Sequence, residues 1–115
     1  MHLKRFTEAQ PYAAPNHRAC HGLRLQGFED GGPTNQWVGF SQFLPGGGAG
    51  PDSTPFEKVY VVLDGEITCS AGGEEITLKK YDSLTIAPGE ERLLENRSNL
   101  TCTMLVVIPY PPESA

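Results

Sequence analysis

The stretch from Pro45 to Gly65 combines ionisable side chains with a strand that could position them. Lys58 and Tyr60 lie two positions apart in an apolar, β-branched run, and residues at that spacing share one face of a strand. Asp52 and Thr54 come from the Gly/Pro-rich loop that is predicted to lead into this strand. An amine, a phenol and a carboxylate are groups that acid–base catalysis uses. This stretch is therefore the first candidate for a reactive site.

His17, Cys20 and His21 form a second group of possible metal ligands. On an extended chain the two histidines share a face and Cys20 lies opposite, so all three converge only if the strand breaks. Pro15 and Gly22 permit such a break. Two interpretations stay open, a metal site that uses His17 and His21 with a carboxylate, and a surface or pocket-rim segment without metal.

The rest of the chain alternates short apolar segments with turn residues, which is typical of an all-β sandwich or barrel. No segment has a helical period of useful length. Gly39 is predicted to mark a bulge or a close backbone approach, and Arg24 to lie on the wet face of an alternating strand. The predicted strands are Leu3–Phe6, Gly22–Gly27, Gln36–Leu44, Val59–Leu63, Glu66–Ser70, Glu75–Lys79, Ser83–Ile86, Glu90–Asn96 and Thr101–Pro109.

Three turns are predicted from glycine-containing sequences. Asp64-Gly65 and Ala71-Gly72-Gly73 each predict a β-hairpin, since both supply residues that tolerate positive φ. Pro88-Gly89 predicts a turn between two further strands.

The spacing in the first candidate site resembles a motif of small single-domain cupins. That motif contains a glycine, two histidines, a glutamate and a second glycine, and the positions fall here on Gly46, Asp52, Thr54, Lys58 and Gly65. The three residues that hold metal in typical cupins are thus replaced in this first motif. The resemblance covers roughly residues 36 to 110 and is specific for the fold rather than for an activity.

The second cupin motif is also present in frame. Its glycine, proline, glycine, histidine and asparagine positions fall on Tyr81, Ala87, Gly89, Arg92 and Asn96, so the fourth metal ligand is replaced as well. The resemblance implies an all-β cupin jelly-roll barrel (a double-stranded β-helix). Small cupins commonly form homodimers by strand addition, and a homodimer is expected here through the Leu3–Phe6 strand.

The resemblance also implies which side chains face the lumen, because cupin residues at the positions of Lys58 and Arg92 point into the barrel. Charged lysine and arginine offer no lone pair to a metal, so no metal or other cofactor is expected. They suit a small organic acid or a sugar-like ligand. The implied catalytic residues are Lys58, Asp52 and Tyr60, and the implied ligand-binding residues are Arg92, Thr54, Tyr81 near the rim, Phe56 and Trp37.

Several alternatives remain beside a metal-independent isomerase, cyclase or lyase. The barrel could be a non-catalytic ligand-binding or sensor protein, or Lys58, Asp52 and Arg92 could form an internal ion-pair network that replaces the metal structurally. A metallo-cupin that uses His17 and His21 is the third. A register shift by one residue would turn Glu57 inward and Lys58 outward.

Composition bounds the remaining possibilities. The chain has 115 residues, which fits one domain, divided here into an N-terminal arm or edge strand (1–20), a barrel (21–110) and a tail (111–115). A net charge of -5 argues against a nucleic-acid partner, and no apolar run is long enough for a membrane span. Three widely spaced cysteines fit a reducing compartment, and a cytoplasmic location is expected.

Overall fold

The computed structural model describes residues 1–111, so the predicted tail from residue 112 onward lies outside the described residues. Within them the chain forms nine strands and one 3-10 helical turn at Phe6–Glu8. The strands are β1 (Gln10–Tyr12), β2 (His17–Gln26), β3 (Gln36–Asp52), β4 (Lys58–Asp64), β5 (Ile67–Ala71), β6 (Glu74–Leu78), β7 (Ser83–Ile86), β8 (Arg92–Glu95) and β9 (Cys102–Pro109). The predicted all-β barrel is confirmed.

Strand β3 joins the two walls of the barrel. Its first half pairs with β9, which continues through β4 to β7, and its second half pairs with β8, which continues through β5 to β6. Strand β2 runs beside β3 along most of its length. The core lies between the walls and is built mainly from Phe43, Val62, Ile67, Leu94 and Met104. This arrangement is a jelly-roll barrel.

The Gly/Pro-rich segment after Leu44 is not the predicted loop. Strand β3 continues through it to Asp52, and residues 47–50 are buried between neighbouring strands. A side chain on Gly48 would overlap the carbonyl oxygen of Leu94, and one on Gly47 would lie 2.8 Å from the carbonyl oxygen of Ala19. The glycines therefore serve close strand packing where β3 passes from one wall to the other, although their composition favours a loop.

The Asp64-Gly65 turn is present, with φ of 74° at Gly65, but the predicted hairpin is wrong. Strand β4 pairs with β7 and β9, whereas β5 pairs with β6 and β8, because the chain crosses here between walls. The other hairpin prediction is confirmed, since β5 and β6 pair directly across Gly72 and Gly73, both of which have positive φ.

The predicted strand at Leu3–Phe6 is also wrong. Phe6 begins the 3-10 turn, and its ring packs edge-on against Phe40 at 5.1 Å between centroids. The edge of β2 is instead taken by β1, with Gln10 opposite Arg24. A homodimer through addition of the Leu3–Phe6 segment stays a prediction. Residues 1–111 contain no helix long and apolar enough to cross a membrane.

Candidate functional site

A cavity of about 320 Å³ lies between the two walls. Its floor contains the buried side chains of Lys58, Tyr60 and Arg92, and its exposed end, here called the mouth, includes Ala13 and Phe28. The lining residues are Tyr12, Ala13, Ala14, Pro15, His17, Arg24, Phe28, Trp37, Ser41, Phe43, Asp52, Thr54, Phe56, Lys58, Tyr60, Arg92, Leu94, Met104, Val106, Ile108, Pro109 and Pro111. Seven of the eight side chains expected at the site line this cavity, all except Tyr81.

Lys58 is the first residue of β4 and is only 7% exposed. Its neighbour Glu57 is exposed, so the alternative register with Glu57 inside is wrong. Burial lowers the pKa of the Lys58 ammonium, and the nearby Arg92 guanidinium lowers it further, while Asp52 acts in the opposite direction. The floor of the cavity thus holds an amine that gives up its proton more readily than an exposed lysine does.

Arg92 begins β8 and is 5% exposed. Its Nε donates a hydrogen bond of 2.8 Å to the Tyr60 hydroxyl, while its Nη1 is buried and has no hydrogen-bond partner. Burial raises the pKa of Tyr60, against the effect of Arg92, so the phenol stays protonated. Because the Tyr60 oxygen accepts from Arg92, its own proton remains available to a ligand.

Asp52 lies opposite Arg92 in the β3–β8 pairing but does not neutralise it. Within residues 1–111, no ion pair within 4.0 Å involves Asp52, Lys58 or Arg92. One carboxylate oxygen of Asp52 instead accepts a 2.9 Å hydrogen bond from the backbone N–H of Ser53. The interpretation of these three residues as a structural ion-pair network is therefore not supported.

A bulge in β2 separates the two histidines of the proposed metal site. The pairing with β3 shifts between Arg18 and Cys20, and Ala19 adopts a φ of 46°. This extra residue places Cys20 beside His17 at a small pocket, whereas His21 is exposed and outside the cavity. The expectation that His17 and His21 share a face is wrong, because it assumes unbroken alternation.

His17 is nevertheless a cavity residue that the sequence marked only as a metal candidate. Its Nδ1 lies 2.7 Å from the carbonyl oxygen of Pro15, and because a carbonyl only accepts, Nδ1 carries a proton. Burial lowers the pKa of His17, against that hydrogen bond, with further lowering by Arg92 and Lys58. The neutral ring therefore keeps its lone pair on Nε2.

Tyr81 does not reach the cavity. It is 72% exposed, has a φ of 71°, and its backbone N–H bonds the carbonyl oxygen of Val62, near the other end of β4 from Lys58. Thr54 and Phe56 do line the cavity, where the Thr54 carbonyl also accepts a 2.8 Å hydrogen bond from Gly89.

Arg24 is the cavity residue that the sequence placed wrongly. Strict alternation with Leu23 and Leu25 assigned it to a wet face, but it lines the cavity and lies within 5.7 Å of the Trp37 ring centroid. The signal that could have placed Arg24 is the aromatic content of the neighbouring strand β3, which carries Trp37 and Phe40. A guanidinium packs well on aromatic rings, and alternation along β2 does not take the neighbouring strand into account.

Residues 39–108 match the family Cupin_2, described as a cupin domain. The chain belongs to the cupin family. This cupin is 42% identical over 111 residues to a Mycobacterium tuberculosis protein named Beta-D-galactosidase Rv1717. The match covers 96% of each chain. It is 28% identical to the Tetracenomycin polyketide synthase protein TcmJ of Streptomyces glaucescens, over 90% of this chain and 72% of that protein.

Among solved structures, the polyketide cyclase RemF from Streptomyces resistomycificus superposes with a TM-score of 0.83. That match covers 95% of this chain and 79% of RemF at 20% identity, so it supports the shared fold alone.

The side chains of this cupin do not fit the family's usual metal. Of the four residues at the ligand positions, Asp52 offers a carboxylate and Thr54 a hydroxyl, but Lys58 and Arg92 bring positive charge and no lone pair in their charged forms. Within the described part of the chain, no three His, Cys, Asp or Glu side chains are grouped to hold a metal ion. The chemistry proposed below therefore uses only the side chains of the chain.

Proposed function

We propose that this cupin binds a small organic acid in its barrel and acts as a metal-independent isomerase or cyclase. The reaction begins with removal of a proton from the carbon next to a carbonyl group of the ligand. The observation that carries the proposal is a pair of buried cations without an anionic partner. Lys58 and Arg92 are at most 7% exposed, and neither forms an ion pair within the described residues.

An anionic ligand would relieve the cost of burying these charges. An unpaired charge in a site lined mainly by apolar side chains is unfavourable, and an incoming carboxylate or enolate supplies the missing partner. The buried Nη1 of Arg92 offers donors that have no competing acceptor among the described residues. Arg92 can therefore hold one oxygen of the ligand while its Nε stays bonded to Tyr60.

The three proposed catalytic residues have complementary roles. Lys58, whose pKa is lowered, takes a proton from the carbon beside the carbonyl in its neutral form. The enolate oxygen that results is stabilised by Arg92 and by the proton of the Tyr60 hydroxyl. The Lys58 ammonium then returns the proton to another carbon, or the enolate carbon attacks a second carbonyl whose oxygen takes up that proton. Asp52 lines the same cavity and favours the charged form of Lys58 through its own negative charge.

Phenylpyruvate is a suitable probe, because it carries a carboxylate, a ketone with an adjacent methylene and an aromatic body. We expect the protein to bind it and to accelerate exchange of the methylene protons with deuterated water, followed by NMR. Lys58→Met should abolish the acceleration, and Arg92→Leu should also weaken binding by at least roughly tenfold. Lys79→Met removes an exposed lysine and is the matched control.

The outcomes separate the alternatives. Binding that depends on Arg92 without faster exchange would support the non-catalytic ligand-binding or sensor barrel. Unchanged binding of phenylpyruvate, benzoate and related acids in both folded variants would overturn the proposal.

A second candidate is β-galactoside hydrolysis, favoured by the 42% identity to the relative named Beta-D-galactosidase Rv1717 over nearly all of both chains. Most glycosidases use two carboxyl groups on either side of the scissile bond. Within the described residues, Asp52 supplies the one carboxylate that lines this cavity, so Tyr60 or Lys58 would have to supply the proton to the leaving oxygen.

This candidate is tested with nitrophenyl β-D-galactoside. Asp52→Asn should abolish release of nitrophenol from the β-anomer, because it removes the carboxylate of the cavity. The unmodified protein should leave nitrophenyl α-D-galactoside uncleaved. No hydrolysis of the β-anomer above a buffer blank would exclude this activity.

A further inference from the structure

Arg24 places a third cation in the cavity, apart from Lys58 and Arg92. It belongs to β2, lines the cavity, and its guanidinium carbon lies 4.5 Å from the ring centroid of Phe28 and 5.2 Å from that of Tyr12. The ring of Trp37 is 5.7 Å away. Aromatic rings thus surround the guanidinium near the mouth, where Phe28 is 52% exposed. These rings fix the guanidinium without using its hydrogen-bond donors.

Among residues 1–111, no acceptor takes a hydrogen bond from the Arg24 side chain. Its Nε is buried and has no hydrogen-bond partner, and within residues 1–111 Arg24 forms no ion pair within 4.0 Å. Glu29 lines a groove on the other side of Arg24, but its carboxylate binds Lys4 at 3.1 Å and the backbone N–H of Gly27 at 2.9 Å. A buried guanidinium nitrogen with no partner among residues 1–111 calls for an acceptor that those residues do not supply.

The strand pairing sets the separation between Arg24 and the floor. Arg24 pairs with Gly39, Gly39 pairs with Val106, and Val106 pairs with Tyr60, so the four lie in one row across four strands. Three spacings of about 4.8 Å give roughly 14 Å as the longest backbone distance along this row. Tyr60 holds Arg92 at the floor through the 2.8 Å hydrogen bond. The two cationic ends therefore face the same cavity across an apolar middle that includes Val106.

The local charge is opposite to that of the whole molecule. Among the described residues, the cavity is lined by three basic side chains, Arg24, Lys58 and Arg92, and by one carboxylate, that of Asp52, whereas the chain carries a net charge of -5. Such a reversal favours an anion inside the barrel, and two separated unpaired guanidinium groups favour an anion with two charged ends.

We infer that Arg24 is a second anion-binding residue and that the ligand is an elongated diacid with an apolar body. One acid group binds Arg92 at the floor, and the other binds Arg24 at the mouth. This inference rests on the proposed anion binding at the floor and adds the class of ligand. The aromatic rings around Arg24 contact the apolar body as well as the guanidinium.

Matched aromatic acids test this inference by isothermal titration calorimetry. Benzoate carries one carboxylate, whereas terephthalate and biphenyl dicarboxylate carry two at increasing separation. We expect at least one diacid to bind roughly tenfold or more tighter than benzoate, and Arg24→Met to remove that advantage while it changes benzoate affinity less than about twofold. Arg97→Met, which removes an exposed arginine, should leave all affinities unchanged.

Further variants keep the result interpretable. Arg24→Lys retains the charge and should keep part of the preference for the diacid, and circular dichroism checks that each variant is folded. Equal weakening of benzoate and diacid by Arg24→Met, or no diacid preference in the unmodified protein, would overturn the inference. If benzoate binds but Arg92→Leu has no effect on it, the proposed function itself fails, which is a different result.

Discussion

The Nε of Arg92 donates a 2.8 Å hydrogen bond to the hydroxyl of Tyr60, and both residues are buried on facing walls of the barrel. Tyr60 belongs to β4 and Arg92 to β8, strands that do not pair with each other. The bond fixes the plane of the guanidinium, so that its unpaired Nη1 has a defined position. The floor of the cavity is therefore preorganised before any ligand enters.

Tyr60→Phe should destabilise the protein by about 1–3 kcal/mol, because it leaves a second nitrogen of Arg92 buried without a partner. Urea unfolding measures the change. In the double variant with Arg92→Leu, the acceptor and the donor are both absent. The loss of unfolding free energy in the double variant should therefore be smaller than the sum of the losses in the two single variants. Full additivity would show that the hydrogen bond contributes nothing to stability.

Lys58→Met should stabilise the protein at neutral pH by roughly 1–3 kcal/mol, because it replaces an unpaired buried cation by an apolar chain of similar length. The pKa of Lys58 is lowered in the folded protein, so the unfolded chain binds more protons between that pKa and 10.5. The unmodified protein therefore gains stability as the pH rises through this window. The difference in unfolding free energy between Lys58→Met and the unmodified protein should therefore shrink as the pH rises from about 7 to about 10. Chemical unfolding measures this difference.

Lys79→Met provides the comparison for this experiment, since it removes an exposed lysine. A Lys58→Met variant that is less stable than the unmodified protein at neutral pH would contradict the unpaired state of this ammonium.

His17 should make the protein less stable as the pH falls. Its pKa is lowered from 6.5 by burial, so below 6.5 the unfolded chain binds a proton that the folded state resists. That stability is fully present above 6.5 and is lost as the pH falls through the lowered pKa. His17→Gln should flatten this part of the pH dependence of the melting temperature. His21→Gln, which changes an exposed histidine, is the control, and an equal effect of both variants would argue against the buried position of His17.

Gly39→Ala should cost about 1–3 kcal/mol of stability, because the added methyl group overpacks the inner face of β3. It would lie 2.8 Å from the Tyr12 hydroxyl, 2.9 Å from Val106 Cγ1 and 3.0 Å from a ring carbon of Trp37. Adding Tyr12→Phe removes the nearest of these atoms and should restore part of the loss. If the double variant is no more stable than Gly39→Ala alone in thermal unfolding, the Tyr12 contact is not the source of the strain.

The local patterns of this chain are enough to predict an all-β fold and most of its strands. The Gly72-Gly73 hairpin follows from residue types that act within a few positions. Gly39 is predicted to mark a bulge or a close backbone approach, but its close neighbours are the side chains of Tyr12, Val106 and Trp37. The spacing shared with cupins predicts that Lys58 and Arg92 face the lumen, and both are buried there. The hairpin depends on turn chemistry, which is a local property, whereas the inward direction of Lys58 and Arg92 is what the resemblance to cupins implies.

The tertiary structure decided the features that depend on residues far apart in the chain. The bulge at Ala19 changes which residues of β2 face inward, the glycines near Gly48 become part of a buried strand, and Arg24 joins the cavity. Each of these outcomes depends on the strand that packs alongside, which periodicity along one segment does not contain. The sequence by itself determined the barrel and its inward lysine and arginine. Only the packing of the two walls decided that these cations form no ion pair within residues 1–111 and that a third shares their cavity, because charge pairing depends on distances between residues far apart in the chain.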